Sequence, residues 1–210
     1  EAAFKFIARY VDARAVVVTN VFRDQLDRYG EVTHTLDNIR LGIENSPNAT
    51  IAVNADDSLC TSLAAQVKNP VLFFGVDTPI YSERVQELSD APYCIRCGHE
   101  YVYDYVTYGH LGKYRCPSCG YSRPETEVSV REVIKTDAEH SEVVFDYEGT
   151  PIPATICLPA GYNIYNACAT MAAGKILGLD PTVKARSLAA FTCGFGRMEK
   201  FSIRGVDVRM

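Results

Sequence analysis

Four of the eight cysteines in this 210-residue chain form two Cys-x-x-Cys pairs, Cys94/Cys97 and Cys116/Cys119, with 18 residues between the pairs. Two thiolate pairs at this spacing are the pattern of a tetrahedral zinc site, whose central gap runs roughly 15–20 residues. A glycine follows the second cysteine of each pair, in YCIRCGHEY and YRCPSCGYS. It lets the chain turn tightly enough for backbone N–H groups to approach the sulfurs. Four thiolates leave no position for water, so the expected site is structural. A redox dithiol is the competing chemistry, but neither pair has the strand–CxxC–helix setting that chemistry uses. His99, two residues past Cys97, is expected at the surface or behind the ligands, since four sulfurs suffice. Arg96, Lys113, Arg115 and Arg123 lie nearby and are expected to offset the negative charge of the thiolates. Cys60, Cys157, Cys168 and Cys193 stand singly in apolar contexts and read as small core residues.

A second kind of chemistry sits just past short apolar runs. After ARAVVVT the chain continues NVFRDQLDRYGE, so Asn20, Arg23, Asp24, Gln25, Asp27 and Arg28 crowd the end of a buried strand. Carboxylate and amide oxygens there suit Mg²⁺, and arginines suit phosphate. A capped loop and helix start would use the same residue types. Asn54, Asp56 and Asp57, in NADD, occupy the equivalent end of the next strand, and two such ends together point to a cleft. GYNIYN places Asn163 and Asn166 three apart, where two amides on one helix face could read a base edge or one could cap the helix. GFGRMEK puts Arg197 in a glycine-bearing turn within reach of a phosphate oxygen or of solvent. No GxxxxGK[ST] loop occurs, and His34, His99, His110 and His140 form no common motif.

These residues need elements to hold them. Residues 2–11 have helical spacing, 13–19 a β-branched apolar run, and 31–45 a helical pattern; a strand at 49–53, a helix at 58–67 and a strand at 71–74 follow. Strands alternating with helices imply a parallel α/β sheet. Residues 91–123 break the pattern and are rich in Tyr, Cys and Gly. Strands at 143–147 and 152–158 around Glu148-Gly149, helices at 163–177 and from Pro181 to Phe191, and a hairpin over 201–210 complete the reading. The expected organisation is a host domain in two parts, 1–90 and 124–200, a zinc ribbon at 91–123, and a terminal hairpin or linker at 201–210.

Composition narrows the classes. Lys+Arg number 21 against 26 Asp+Glu, a net charge of −5, which argues against general nucleic-acid binding. The insert's tyrosines (Tyr93, Tyr101, Tyr103, Tyr105, Tyr108, Tyr114 and Tyr121) could stack on bases, but are expected to build the ribbon's own core and its contact with the host. No apolar run approaches the ~18 residues of a membrane span, and no signal peptide is visible. Paired thiols with metal spacing suggest a reducing, cytoplasmic setting.

NVFRDQLDRYGE, NADD, GYNIYN and GRMEK, in this order, make the chain resemble the central ATP-binding domain of the Mur ligase family across 1–90 and 125–210. With its four-cysteine insert it resembles, within that family, the ligase subunits that amidate lipid II using a separate glutaminase-like subunit of the GatD type. The resemblance implies that ATP phosphorylates the α-carboxyl of D-glutamate in the lipid II stem peptide. Ammonia from the partner then attacks the acyl phosphate to give D-isoglutamine, at the inner face of the membrane. It makes Asn163 and Asn166 adenine contacts and sets Arg197 near the phosphates. Asn20, Asp24, Gln25 and Asp27, with Arg28, lie beside the metal and acceptor carboxylate, and Asn54, Asp56 and Asp57 form the second strand-end motif. Asp24, Gln25 and Asp27 are the implied catalytic set, with ATP and Mg²⁺ beside structural Zn²⁺. Many relatives have His at Gln25, and Arg40 falls where some carry a carbamylated lysine, so a second Mg²⁺ is not expected there. The phosphate loop is expected before Glu1 and a further domain after Met210, so this piece alone is not expected to catalyse. A non-catalytic zinc-ribbon module and a Mur-type ligase with another substrate are the alternatives.

Overall fold

A computed structural model describes residues 3–22, 32–81, 91–191, 200–203 and 206–209. Its frame is a six-stranded sheet in the order β1-β2-β3-β6-β7-β8. The strands β1 (Ala15–Val18), β2 (Thr50–Asn54), β3 (Val71–Val76) and β6 (Val128–Thr136) run parallel. The β-branched runs that form β1 and β2 are the kind a sheet covered on both faces requires. β7 (Ser141–Tyr147) and β8 (Thr150–Ile156) add antiparallel to the far side. Their two-residue turn, Glu148-Gly149, has positive φ at both positions, matching the right-handed twist of the flanking strands.

Helices cover both faces. Ile39 and Ile43 of α2 (Val32–Glu44) and Leu59 and Leu63 of α3 (Ser58–Ala64) pack with Val18, Ile51 and Val53. On the other face, Ile164, Cys168 and Met171 of α4 (Tyr162–Ile176) and Ala185 of α5 (Pro181–Ala190) meet Phe74, Val128 and Phe145. Asp180 caps α5, with Pro181 in the first turn, and Gly178 at φ +72° follows α4.

Two elements and one cysteine differ from the sequence reading. The first helix, α1, covers only Phe4–Ile7, because Phe6, Ile7 and Tyr10 point to solvent and give a longer helix nothing to pack on. β6 was not expected; buried at Val128–Val130 and largely exposed beyond, it joins the parallel and antiparallel halves. Cys157 is exposed, with its thiol toward the Ala189 carbonyl, rather than in the core; Cys60 and Cys168 are buried as expected, and Cys193 lies outside the described residues.

Between β3 and β6 the chain makes a small separate unit. It holds the hairpin of β4 (Val102–Tyr108) and β5 (Leu111–Arg115), flanked by the two cysteine pairs. A last hairpin pairs β9 (Lys200–Ile203) with β10 (Val206–Arg209).

Candidate functional site

The four cysteines meet as their spacing predicts. Their sulfurs all lie within 4.8 Å of one another, with Cys94–Cys119 at 3.6 Å and Cys97–Cys116 at 3.4 Å. Zn–S bonds of about 2.3 Å in a tetrahedron place sulfurs about 3.8 Å apart, so the set is close to the size zinc needs. Both knuckles are built alike. Gly98 and Gly120 each take φ +76°, their N–H groups donate to the Cys94 and Cys116 carbonyls, and the Cys94 and Cys116 N–H groups donate to His99 and Tyr121 carbonyls. The Cys119 and Ser118 N–H groups bring the Cys116 thiol down to about 6. Although the Tyr121 N–H favours its thiolate, Cys119 is pushed up to about 12 by burial and by the neighbouring sulfurs. Four thiolates at this separation repel one another unless a cation balances them, and that is the chemistry a divalent metal supplies. His99 contributes a backbone carbonyl rather than a ligand atom to this set.

Tyr101, Tyr114 and Tyr121 pack with Cys94 and Cys116 as the ribbon's core. The Tyr114 and Tyr121 hydroxyls both reach Thr61 on α3, at 2.5 and 2.6 Å, and the Tyr105 hydroxyl donates to the Val76 carbonyl at the end of β3. These four tyrosines therefore serve the ribbon and its seam with the host, while Tyr93 is exposed. Arg96 lies over the Tyr121 ring at 4.1 Å. Arg123, expected to offset the thiolates, is spent elsewhere.

The ribbon sits on the carboxyl ends of the parallel strands, the edge where open α/β sheets bind ligands. Asn54, Asp56 and Asp57 are there, as expected, and all three are fully buried. Asn54 donates to the Thr19 carbonyl and accepts from the Asp56 N–H, tying the ends of β1 and β2 together. Asp56 accepts from Val76 N–H (3.0 Å), the Tyr165 hydroxyl (2.6 Å) and Arg123 Nε (2.7 Å). Arg123 also pairs with Asp77 at 2.8 Å. Burial raises the Asp56 carboxyl above the ordinary range, and Arg123 is the main influence holding it down. Asp57 caps α3 through Leu59 and Cys60 N–H groups and accepts from Val21 N–H at 2.8 Å. Burial opposes its charge, but His110, the Val21 N–H and the Cys60 thiol outweigh it and lower its pKa. The carboxylates are thus turned into the domain and hold its strand ends together.

Asn20 is half-buried and lines a recess of about 360 Å³ along β1 with Phe4, Ala13, Val18 and Ile39. Asp24, Gln25, Asp27, Arg28 and Arg197 lie outside the described residues. Asn163 and Asn166 stand together at the start of α4. Asn166 Nδ2 donates to Asn163 Oδ1 at 3.1 Å, and Asn163 Nδ2 donates to the Pro159 carbonyl rather than capping the helix. Asn163 is buried and Asn166 exposed. Both line a groove of about 870 Å³, otherwise largely apolar, with Ile156, Leu158, Val183 and Leu188. A flat apolar wall with amides at its rim suits a purine ring.

Sequence reasoning missed Tyr165, left His110 without a role and gave Arg123 a different one, beside the thiolates rather than on Asp56 and Asp77. Nothing in the SRPE or TYGHLG contexts marks Arg123 or His110, apart from the glycines that announce a turn at His110.

Comparison with known proteins agrees with this architecture. No protein-family model matches the chain. It is 31% identical over 204 residues, 97% of the chain, to the lipid II isoglutaminyl synthase (glutamine-hydrolyzing) subunit MurT of Streptococcus pneumoniae, and 25% identical over 201 residues to the subunit of the same name of Staphylococcus aureus. The chain spans 44% of the length of each. A UDP-N-acetylmuramate–L-alanine ligase of Synechocystis is 34% identical over 116 residues, 53% of the chain and 20% of that ligase. Among solved structures, a pseudomurein peptide ligase type C from Methanothermus fervidus superposes with a TM-score of 0.80 at 24% identity, over 98% of this chain and 39% of its own. MurF from Acinetobacter baumannii gives a TM-score of 0.68 at 11% identity, over 98% of this chain and 35% of its own, so both show the fold.

Proposed function

We infer from this chain's membership of the Mur ligase family, with MurT subunits among its relatives, that it is the central nucleotide-binding part of an ATP-dependent amide ligase acting on lipid II. The observation that carries the reading is the kinship to MurT over 97% of the chain, joined to a four-sulfur cluster in the inserted ribbon.

The chemistry asked of it is activation of a carboxyl. The α-carboxylate of D-glutamate attacks the γ-phosphorus of ATP, releasing ADP and leaving an acyl phosphate. Ammonia then displaces inorganic phosphate and leaves the amide. Such a site mostly positions reactants, offsets phosphate charge and excludes water. On this reading Asn163 and Asn166 hold the adenine at the groove beside α4. Asn20, Asp24, Gln25, Asp27, Arg28 and Arg197 face phosphates, Mg²⁺ and the acceptor. Asn54, Asp56 and Asp57 act from below, fixing the strand ends from which that segment leaves. Mg²⁺ supplies charge neutralisation between the phosphate oxygens. Cys94, Cys97, Cys116 and Cys119 hold a structural zinc, and the ammonia comes from a glutaminase-like partner. Among the described residues no helix is long and apolar enough to cross a membrane. On this reading the lipid-linked substrate is met at the cytoplasmic face.

A ribbon that binds nucleic acid gains little support. The ring faces such binding would use at Tyr101, Tyr114 and Tyr121 are buried in the ribbon core. The test is ADP formation by the full-length protein with Mg²⁺ and ATP. Release that requires both lipid II and ammonium supports the ligase; release indifferent to either sinks it.

A further inference from the structure

We propose that His110, at the tip of the β4–β5 hairpin, is a positioning residue for the ligase reaction, through which the ribbon fixes the end of β1. The proposal rests on the ligase reading. It gives the ribbon a part in the reaction that stability alone would not.

The His110 ring lies against Asp57 and Phe22. The imidazole is 2% exposed, and its Nε2 lies 3.5 Å from Asp57 Oδ1. Its ring meets Phe22 edge-on, with centroids 4.8 Å apart. Asp57 Oδ2 in turn accepts from the Val21 N–H at 2.8 Å. Val21 and Phe22 are the last described residues before Arg23–Arg28, where the sequence concentrates its carboxylates and arginines. One imidazole therefore touches both the ring of Phe22 and the carboxylate that holds the preceding amide.

The hairpin is itself anchored, so His110 can act as a stop. The Gly112 N–H donates to the Asp56 carbonyl at 3.1 Å, an approach only glycine permits, since a Cβ there would lie 2.3 Å from the Tyr105 carbonyl oxygen. Thr107 shares a hydrogen bond with Tyr165 of α4, and the Thr61 hydroxyl fixes Tyr114 and Tyr121. Among the described residues neither ring nitrogen of His110 has a hydrogen-bond partner within normal geometry. A buried imidazole in that state is poor economy for folding, yet it suits a spacer set by contact with Phe22 and the charge of Asp57. Displacements of about 1 Å in a reacting segment cost roughly a hundredfold in rate.

The experiment uses the full-length protein with its glutaminase partner, as wild type and as His110→Ala and His110→Gln. Hydrogen exchange is followed in peptides covering residues 15–28. Zinc content, ATP affinity and lipid II-dependent ADP release at saturating ammonium are measured alongside. The expected result for His110→Ala is unchanged zinc, ATP affinity within about twofold, faster exchange at the end of β1, and a kcat lowered at least about tenfold at little-changed KM. His110→Gln, which keeps a polar side chain of similar reach beside Asp57 and Phe22, recovers most of both losses. Unchanged exchange in His110→Ala, a kcat loss no larger than the loss of zinc or of folded protein, or a Gln variant no better than Ala would each overturn the proposal. A wild type with no lipid II-dependent ADP release would overturn the ligase reading and the catalytic half of the proposal. The exchange data would still decide whether His110 holds the strand end.

Discussion

Arg123→Gln tests how the ribbon is joined to the sheet. The Arg123 side chain is 6% exposed and lies between Asp56, fully buried, and Asp77, 38% exposed. Removing the guanidinium leaves Asp56 with two neutral donors, the Val76 N–H and the Tyr165 hydroxyl, against a charge burial already disfavours. Breaking one side of such a pair costs about 3–5 kcal/mol. At about 2–4 °C per kcal/mol for a domain this size, the melting transition should fall by roughly 6–20 °C. The loss should be pH-dependent. The folded-state pKa of Asp56 is raised, so its unfavourable ionisation is relieved as pH falls through that value, and the variant should approach wild type in mildly acidic buffer. Adding Asp56→Asn removes the stranded charge, so the double variant should be more stable than Arg123→Gln by at least about 1 kcal/mol. Calorimetry of the three proteins at two pH values decides it. A melting shift below about 3 °C for Arg123→Gln, or a double variant whose losses simply add, would refute the reasoning.

Further outcomes follow from the same geometry. Chelation of the metal, or Cys94→Ser, should abolish stoichiometric zinc and unfold the ribbon, seen as slower-migrating, protease-sensitive protein and loss of protection around residues 93–122; an unchanged melting curve with zinc absent would refute a structural role. Asn166→Ala should weaken ATP binding about tenfold, the worth of one hydrogen bond of about 1.4 kcal/mol, without altering the melting temperature, as titration calorimetry would read. Gly75→Ala should destabilise by about 1–3 kcal/mol in chemical denaturation, because the new methyl would sit 2.3 Å from Asp56 Oδ1 and 2.7 Å from Arg123 Nη2.

The parts legible in the sequence are those with a local cause. Short apolar runs announced β1, β2 and β3, and the cysteine spacing announced the cluster down to its paired glycine turns. The NADD motif reads as a cleft wall, whereas Asp57 caps α3 and Asp56 is turned inward onto Arg123. A strand-end carboxylate looks the same in sequence whether it faces solvent or closes the domain. β6 was lost because only its first three residues carry a buried-strand signature, and because the ribbon separates it from β3, its partner. The roles of Arg123 and His110 were illegible for a tertiary reason. Each acquires its role from groups more than fifty positions upstream, Asp56 and Asp57, and one Arg or His in a loop carries no period or spacing.

The most direct test of the central claim is mass spectrometry of the lipid II stem peptide. The full-length protein and its glutaminase-like partner would be incubated with ATP, Mg²⁺, lipid II and glutamine labelled with ¹⁵N at the side-chain amide. The account predicts one carboxyl converted to a ¹⁵N-amide at the D-glutamate α position, with one ADP formed per amide. An unmodified stem peptide, from a preparation that binds ATP and holds its zinc, would contradict it.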